Sequence, residues 1–181
     1  DEVEEVVKRA EDVIRTHKEL VKKAKEDLDK IIEDIERELK KMLEDLERSN
    51  RRVEELVRGG VDERELDKLL EENRRLNEEI NDRLEKLVKE VRKVLEKIKK
   101  DSDDVVRKLE KLLKDVERRS TDERVKKILD DIRRELEESN KKVEEDLRKA
   151  EEDLEELLRR ARELSKEDEK KSRKLVEDAR R

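Results

Sequence analysis

Hydrophobic side chains recur along this chain at the spacing of an α-helix. Between residues 3 and 57 an apolar or small residue returns on average about every 3.6 positions, and residues 66–116 and 125–179 repeat this spacing. Most residues between them are charged. The pattern predicts three amphipathic helices, each with one narrow apolar stripe that faces its neighbours. Because the period lies between the heptad repeat and the ideal helix, we expect straight or weakly left-handed packing.

The predicted stripe of the third helix illustrates the pattern. It comprises Val125, Ile128, Ile132, Leu136, Ser139 or Asn140, Val143, Leu147, Ala150, Leu154, Leu157, Ala161, Leu164, Asp168, Ser172, Leu175 and Ala179. The first stripe begins at Val3, and the second includes Val88 and Leu112. We expect these positions to form the core.

Two breaks interrupt the pattern. Residues 58–62 contain both glycines of the chain, and residues 119–122 read Arg-Ser-Thr-Asp. Helices are therefore predicted at about 2–58, 62–119 and 121–180.

The residues at these breaks are typical of helix ends. Gly59 can adopt the left-handed conformation that closes a helix. Asp62 with Glu65, and Ser120 with Glu123, have the spacing of capping boxes that start the next helix.

The second helix contains one ambiguous segment, residues 99–104, in which two lysines precede Asp-Ser-Asp-Asp. Such a sequence resembles a helix end followed by a new start. The stripe passes through Ser102 in phase, and the segment has no Gly or Pro, so we expect a continuous helix. Short connections make neighbouring helices antiparallel. The predicted fold is all-α: an antiparallel up-down-up three-helix bundle, or coiled coil, of long (~58-residue) helices, forming one domain over residues 1–181.

Composition excludes several classes of protein. Charged residues make up 61% of the chain and hydrophobic residues 30%, with no aromatic residue, proline or cysteine. Without cysteine there is no disulfide or thiolate metal site. No apolar run is long enough to span a bilayer, and the acidic N-terminus does not resemble a targeting signal. The net charge of -6, with both signs interspersed, gives no basic surface for nucleic acid. We expect a soluble protein, cytoplasmic when expressed, with no nucleic-acid or membrane partner.

Polar residues replace apolar ones in the stripes at matched heights. When the chain is folded antiparallel about its two breaks, these residues fall into two groups, which we name the His17 layer and the Asn73 layer. The His17 layer comprises His17, Ser102, Ser139 and Asn140, and the Asn73 layer comprises Ser49, Asn50, Asn73, Asn77, Ser165, Asp168 and Ser172. We predict two buried hydrogen-bond networks, because buried amides and hydroxyls are stable only with partners. The alternative for each residue is a position at the stripe edge, in contact with water.

No motif for catalysis or cofactor binding stands out. His17 is the single histidine, and the polar residues at its height are Ser and Asn, so a structural hydrogen bond is expected rather than a metal ligand or catalytic base. The segment beginning at Asp101 starts like a calcium loop, but Val106 replaces the required glycine. No phosphate-binding glycine loop or nucleophile elbow is present. We expect no catalytic residues, metal site or cofactor, and therefore no enzyme.

The chain resembles computationally designed helical bundles with buried hydrogen-bond networks. The features that carry the resemblance are the three near-equal helices, the short loops at 59–62 and 119–122, the Glu/Lys/Arg surface, the aliphatic core and the two polar layers. The resemblance covers the whole chain. It rests on general features of such designs and not on a shared sequence motif. It implies a structural scaffold with no natural biochemical function and no required partner. A component of a designed assembly or switch (a heterodimer, homo-oligomer or displaceable-helix cage) is one alternative. A natural coiled-coil spacer is another, less compatible with the missing aromatic residues.

Overall fold

Three long helices account for nearly the whole chain. A computed structural model describes residues 2–60 and 62–180, without the side chains of Glu2 and Val3. Helix α1 spans Glu2–Arg58, α2 spans Glu63–Arg119 and α3 spans Glu123–Arg180. The described residues form no strand, which confirms the all-α prediction. Two predicted positions, the Val3 side chain and the loop residue Val61, lie outside the described part.

Helix α2 runs without a break through Asp101–Asp104, as the phase of its stripe predicts. Its polar side chains at this point do not end the helix because the backbone hydrogen bonds continue on both sides. None of the described helices contains a stretch that is long and apolar enough to cross a membrane.

The chain divides into two compact units, each built from one stretch of every helix. Unit 1 contains the chain up to Lys30 together with Arg92–Glu151, and unit 2 contains Ile31–Val91 together with the chain from Glu152 onward. Each unit thus has three packed helical stretches, as expected for a three-helix fold.

Consecutive helical stretches are antiparallel within each unit. In unit 2, Asn50 of α1 bonds to Asn73 of α2, whereas Glu38, twelve residues earlier, bonds to Arg83, ten residues later. In unit 1, Ser102 of α2 and Ser139 of α3 meet at His17, whereas Glu117, later in α2, pairs with Arg133, earlier in α3. The up-down-up prediction is therefore confirmed in both units.

Aliphatic side chains fill the interior of each unit. The buried cluster of unit 1 consists of Ala10, Ile14, Leu109, Leu113, Val116, Val125, Leu129, Ile132 and Leu136. A smaller cluster in unit 2 consists of Val53, Leu66 and Val176, with Leu56, Val57, Leu69 and Leu70 packed against it. Each fully buried Leu, Val or Ile contributes roughly 1.5–3 kcal/mol before conformational entropy is subtracted. Hydrophobic burial is therefore the main stabilising term.

The predicted stripe is wrong by one residue at several turns of α3. Ile128 is 39% exposed, while its neighbour Leu129 is 2% exposed; Leu164 is 46% exposed, while Ser165 is 3% exposed. Leu158 and Val176 are likewise buried where Leu157 and Leu175 were predicted, and in α2 Leu87 and Leu113 are buried where Val88 and Leu112 were predicted. Except at Ser165, the sequence offers two adjacent apolar residues, and spacing alone does not decide between them. Packing against the other helices makes the choice.

Helix α1 ends at Arg58, as predicted, but the positive φ that follows it falls on a different glycine from the predicted one. Gly59 N still donates a 3.0 Å hydrogen bond to Glu55 O, so Gly59 continues the helical bonding. Gly60 takes the positive φ, 97°. The residue with positive φ therefore lies one position further along the chain than the sequence suggests.

Aspartates cap the two following helices. The Oδ1 atom of Asp62 accepts a 3.1 Å bond from Arg64 N, and that of Asp122 accepts a 3.1 Å bond from Arg124 N. Asp62 is thus the predicted cap of α2. The predicted cap Ser120 instead accepts a 3.4 Å bond from Asp122 N within the loop, which delays the start of α3 to Glu123. The aspartate lies directly before the helix and can satisfy its free N–H groups.

Replacing Gly60 with alanine should destabilise the protein by about 1 kcal/mol, because a φ of 97° is strained for a residue with a Cβ atom. Apart from its neighbours in the chain, no described residue has an atom within 4 Å of the added Cβ, so any loss comes from the backbone and not from a clash. Chemical denaturation followed by circular dichroism measures the change. Equal stability of Gly60→Ala and the unmodified chain would contradict the assigned conformation.

Candidate functional site: two buried polar layers

His17 is held between two serines inside unit 1. Its side chain is fully buried. Nδ1 lies 2.6 Å from Ser139 Oγ on α3, and Nε2 lies 2.9 Å from Ser102 Oγ on α2. A neutral imidazole has one N–H donor and one acceptor nitrogen. One serine therefore donates to the ring while the other accepts from it, and a single side chain joins three helices.

Asn140 was predicted for the same layer but lies at its edge. It is half-buried, next to buried Ser139, and makes no side-chain hydrogen bond with any residue that the structure describes. The stripe position written as Ser139 or Asn140 is thus occupied by the serine. A helix places adjacent residues about 100° apart, so one of them points away from the core.

Burial lowers the pKa of His17 below its usual value of 6.5. The cause is desolvation, because the charged imidazolium loses water that two neutral hydroxyls do not replace. The folded protein therefore favours the neutral ring.

Acidification should destabilise the protein through His17. Since the folded pKa is lower than the unfolded one, the unfolded chain binds the proton more readily. The stability that the neutral His17 ring contributes to the folded protein is fully present above about pH 6.5. It is lost as the pH falls through the folded pKa, and below that pH the free energy of unfolding no longer changes through His17. Denaturation curves at a series of pH values should show this loss, and His17→Gln should lack it. An identical pH dependence in the variant would contradict the prediction.

Asn73 is the centre of the second layer, in unit 2. Its Nδ2 donates to Asn50 Oδ1 on α1 and to Ser172 Oγ on α3, both at 2.6 Å. Ser172 Oγ also donates to Asn50 Oδ1. All three side chains are buried. The result is a closed triangle with one member on each helix.

Asn77 extends this layer by one helical turn. Its Nδ2 donates to the backbone oxygen of Asn73 at 3.2 Å and to Asn73 Oδ1 at 3.3 Å. Ser165 Oγ on α3 donates to Asn77 Oδ1 at 2.5 Å. Five of the seven residues predicted for the Asn73 layer are therefore joined by side-chain hydrogen bonds: Asn50, Asn73, Asn77, Ser165 and Ser172.

Asp168 meets the Asn73 layer through its backbone. Its carbonyl oxygen accepts a long, 3.4 Å bond from Asn50 Nδ2, and its carboxylate is half-buried. Burial raises the pKa of Asp168, with smaller contributions from Glu47 and Glu167 in the same direction, while Lys171 opposes them. The carboxylate thus lies at the margin of the network.

Ser49 is buried without a hydrogen-bond partner. It is 3% exposed, and its Oγ makes no bond to any atom among residues 2–60 and 62–180. The buried Oδ2 atom of Asp146, which the sequence did not single out, is in the same situation. Asp146 lies between stripe residues in the sequence, where a charged side chain gives no signal of burial.

The ion pair between Arg83 and Glu38, which joins α2 and α1, was not predicted from the sequence. Arg83 Nε and Nη2 donate to the two carboxylate oxygens of Glu38, at 2.5 and 3.1 Å. Both side chains are about one-third exposed. Such a pair typically contributes below about 1 kcal/mol, so it orients α1 and α2 more than it stabilises them. The charged faces contain so many possible pairs that the sequence cannot indicate this one.

The polar layers contain few groups that bind metals. Within the described part of the chain, no three His, Cys, Asp or Glu side chains come together in a way that could hold a metal ion. Apart from Ser49, Asn140 and the Asp168 carboxylate, the hydroxyl, amide and imidazole groups of the layers instead bond to one another.

Comparisons with known proteins complete the description. No family model matches the chain, and no curated protein matches it. Among solved structures, the chain is similar to one described as a computationally designed three helix bundle, at 23% sequence identity and a TM-score of 0.44. The match covers 99% of this chain and 87% of the other.

Proposed function

We propose that this protein is a designed structural scaffold whose polar layers specify how its helices pair. The closed triangle of Asn50, Asn73 and Ser172 is the observation that carries this proposal, because it takes one side chain from each of three helices. The His17 layer has the same property in unit 1.

The layers favour one register because they penalise the others. If one helix slipped by a turn, these amides and hydroxyls would face aliphatic neighbours such as Leu46 or Val53, both of which are fully buried. Each buried polar group without a partner costs about 1–3 kcal/mol. Purely aliphatic stripes would impose a much smaller penalty, since one Leu or Val replaces another.

Several regularities support a designed origin. The helices have 57, 57 and 58 residues. Short loops join them, and each following helix starts with an aspartate cap. The chain has neither proline nor aromatic residues. Such uniform lengths, idealised caps and layered polar groups agree with the rules by which helical proteins are designed.

We further propose that the chain folds as one cooperative monomer. Each helix contributes one stretch to each compact unit, so the two units share three continuous helical backbones. Light scattering over a range of concentrations should give 21.9 kDa throughout. A multiple of this mass would support the alternative of a designed assembly component.

The alternative of a switch or assembly component predicts an exposed apolar strip. In the described part of the chain, the large hydrophobic residues with high exposure are Ile128 and Leu164. They belong to different units and do not form a strip. This favours the scaffold.

Replacing Asn73 and Asn77 together with leucine tests the role of the layer. The double variant should keep or raise the free energy of unfolding, because the burial of two leucines offsets the cost of leaving the Ser165 hydroxyl without Asn77. It should lose uniqueness of structure, seen as broadened or extra amide peaks in NMR spectra. Leu84→Met, which changes a buried aliphatic residue in the same unit, is the control and should keep one set of peaks. A large loss of stability, or a spectrum as uniform as that of the control, would contradict the proposed role.

A further inference from the structure

Ser139 combines two features that no other buried serine of the hydrogen-bonded layers has together. It bonds to an imidazole nitrogen at 2.6 Å, whereas Ser165 and Ser172 bond to asparagine oxygens. It is also 8% exposed, compared with 1% for Ser102, 3% for Ser165 and 2% for Ser172. A hydroxyl beside a base and within reach of solvent has the arrangement of an activated nucleophile.

Ser139 belongs to the lining of a cavity. This cavity has a volume of about 520 Å³ and lies between α1 and α3 in unit 1. Its volume is within the usual range for small-molecule sites, about 300–1,000 Å³. Val21 forms an apolar part of the lining. A small acyl group that enters the cavity therefore lies next to Ser139.

We propose that Ser139 is a nucleophile that accepts small activated acyl and phosphonyl groups in this cavity, with His17 as its base. Ser139 Oγ attacks the carbonyl carbon of an activated ester, and its proton passes to His17 Nδ1. The C–O bond to the leaving alkoxide then breaks, and His17 returns the proton to that oxygen. The products are acyl-Ser139 and an alcohol; water, activated by the same nitrogen, can later release the acid.

The reaction requires the tautomer of His17 in which the second ring nitrogen, Nε2, carries the hydrogen. When Nδ1 accepts the Ser139 proton, Nε2 carries hydrogen and donates to Ser102 Oγ at 2.9 Å. Ser102 is thus a positioning residue. Burial, which lowers the pKa of His17, keeps the ring in its neutral, basic form near pH 7.

Cations around the cavity can stabilise the negative charge that develops on the attacked carbonyl oxygen. Lys18, Lys22, Lys25 and Lys142 line the cavity, together with Glu135, Glu138 and Asp146. The cations exceed the carboxylates by one. The lining therefore suits neutral substrates that become anionic in the transition state.

Ser102 is the competing nucleophile. It lines a second cavity, of about 430 Å³, between α2 and α3. It is less exposed than Ser139 and its bond to the imidazole is longer. The geometry therefore assigns the reaction to Ser139.

A small alkyl fluorophosphonate tests the proposal on the intact chain. Attack by Ser139 Oγ displaces fluoride and leaves a stable phosphonyl ester, which peptide mass spectrometry locates. We expect one modification per chain, on Ser139, formed at least about 100-fold faster than any on Ser165 or Ser172. These two serines are controls within the same molecule, so this comparison needs no folded variant. Equal labelling of the three serines, or faster labelling of Ser102, would overturn the proposal.

Two variants show whether Ser139 reacts because His17 activates its hydroxyl or only because the reagent can reach it. Ser139→Ala should lose the modification. His17→Gln retains hydrogen-bonding capacity but no base, and should slow labelling of Ser139 about 100-fold or more, with circular dichroism checking that the helices persist. Unchanged labelling in helical His17→Gln would show that the imidazole does not activate the hydroxyl.

Discussion

Leu129→Ala should lower the free energy of unfolding by about 3 kcal/mol, whereas Ile128→Ala should lower it by less than about 1 kcal/mol. Leu129 is 2% exposed and belongs to the buried cluster of unit 1, while Ile128 is 39% exposed. Truncating the buried leucine removes its burial and leaves a cavity among tightly packed neighbours. Truncating the exposed isoleucine removes few contacts.

This pair of adjacent residues makes a direct test of the helix phase. Both are large aliphatic side chains in the same turn of α3. The two residues are therefore nearly matched in helix propensity and in their position along the helix. Chemical denaturation followed by circular dichroism gives both values. If Ile128→Ala is the more damaging variant, the stripe predicted from spacing is right and the rotation of α3 in the structure is wrong.

Asn73→Ala should destabilise the protein by about 2–3 kcal/mol. The change removes two 2.6 Å hydrogen bonds, to Asn50 and Ser172, and leaves a buried space between the three helices of unit 2. Ser172 retains Asn50 as a partner, so the triangle is reduced to one bond. The loss is large because Asn50, Asn77 and Ser172, the hydrogen-bond partners of Asn73, are all buried and water cannot easily replace the lost amide.

Ser49→Ala is the matched control for this prediction. Ser49 is also a buried polar residue of the Asn73 layer, but its Oγ has no partner among the residues that the structure describes. Removing the hydroxyl should therefore leave stability unchanged or raise it by up to about 1 kcal/mol. Thermal and chemical unfolding compare the two variants. Equal losses for Ser49→Ala and Asn73→Ala would show that the described hydrogen bonds are not what stabilises the layer.

The two layers differ in how they respond to solution conditions. The Asn73 layer is centred on amides and hydroxyls, which do not titrate, so its contribution is constant over the physiological pH range. The His17 layer depends on a neutral imidazole and weakens below about pH 6.5. Only unit 1 of the described chain therefore has a titrating group at the centre of its polar layer.

The heights of the polar residues follow from arithmetic, but their partners do not. Antiparallel folding about two short loops places His17 level with Ser102 and Ser139, because rise per residue is the same in every helix. That reasoning placed Asn140 and Ser139 equally well in the core. Only the rotation of α3 distinguishes them, and rotation depends on how side chains from the other helices fill the space.

Helix number, length, order and direction were determined by the sequence alone. Apolar spacing, two breaks and short loops act locally, so each can be read along the chain without knowing its neighbours. The tertiary structure decided which of two adjacent side chains is buried, as at Ile128 and Leu129, and which hydroxyl meets the imidazole. It also decided that Gly60 rather than Gly59 takes the positive φ. These choices depend on packing contacts between helices. The spacing of apolar residues along one helix contains no information about the energies of those contacts.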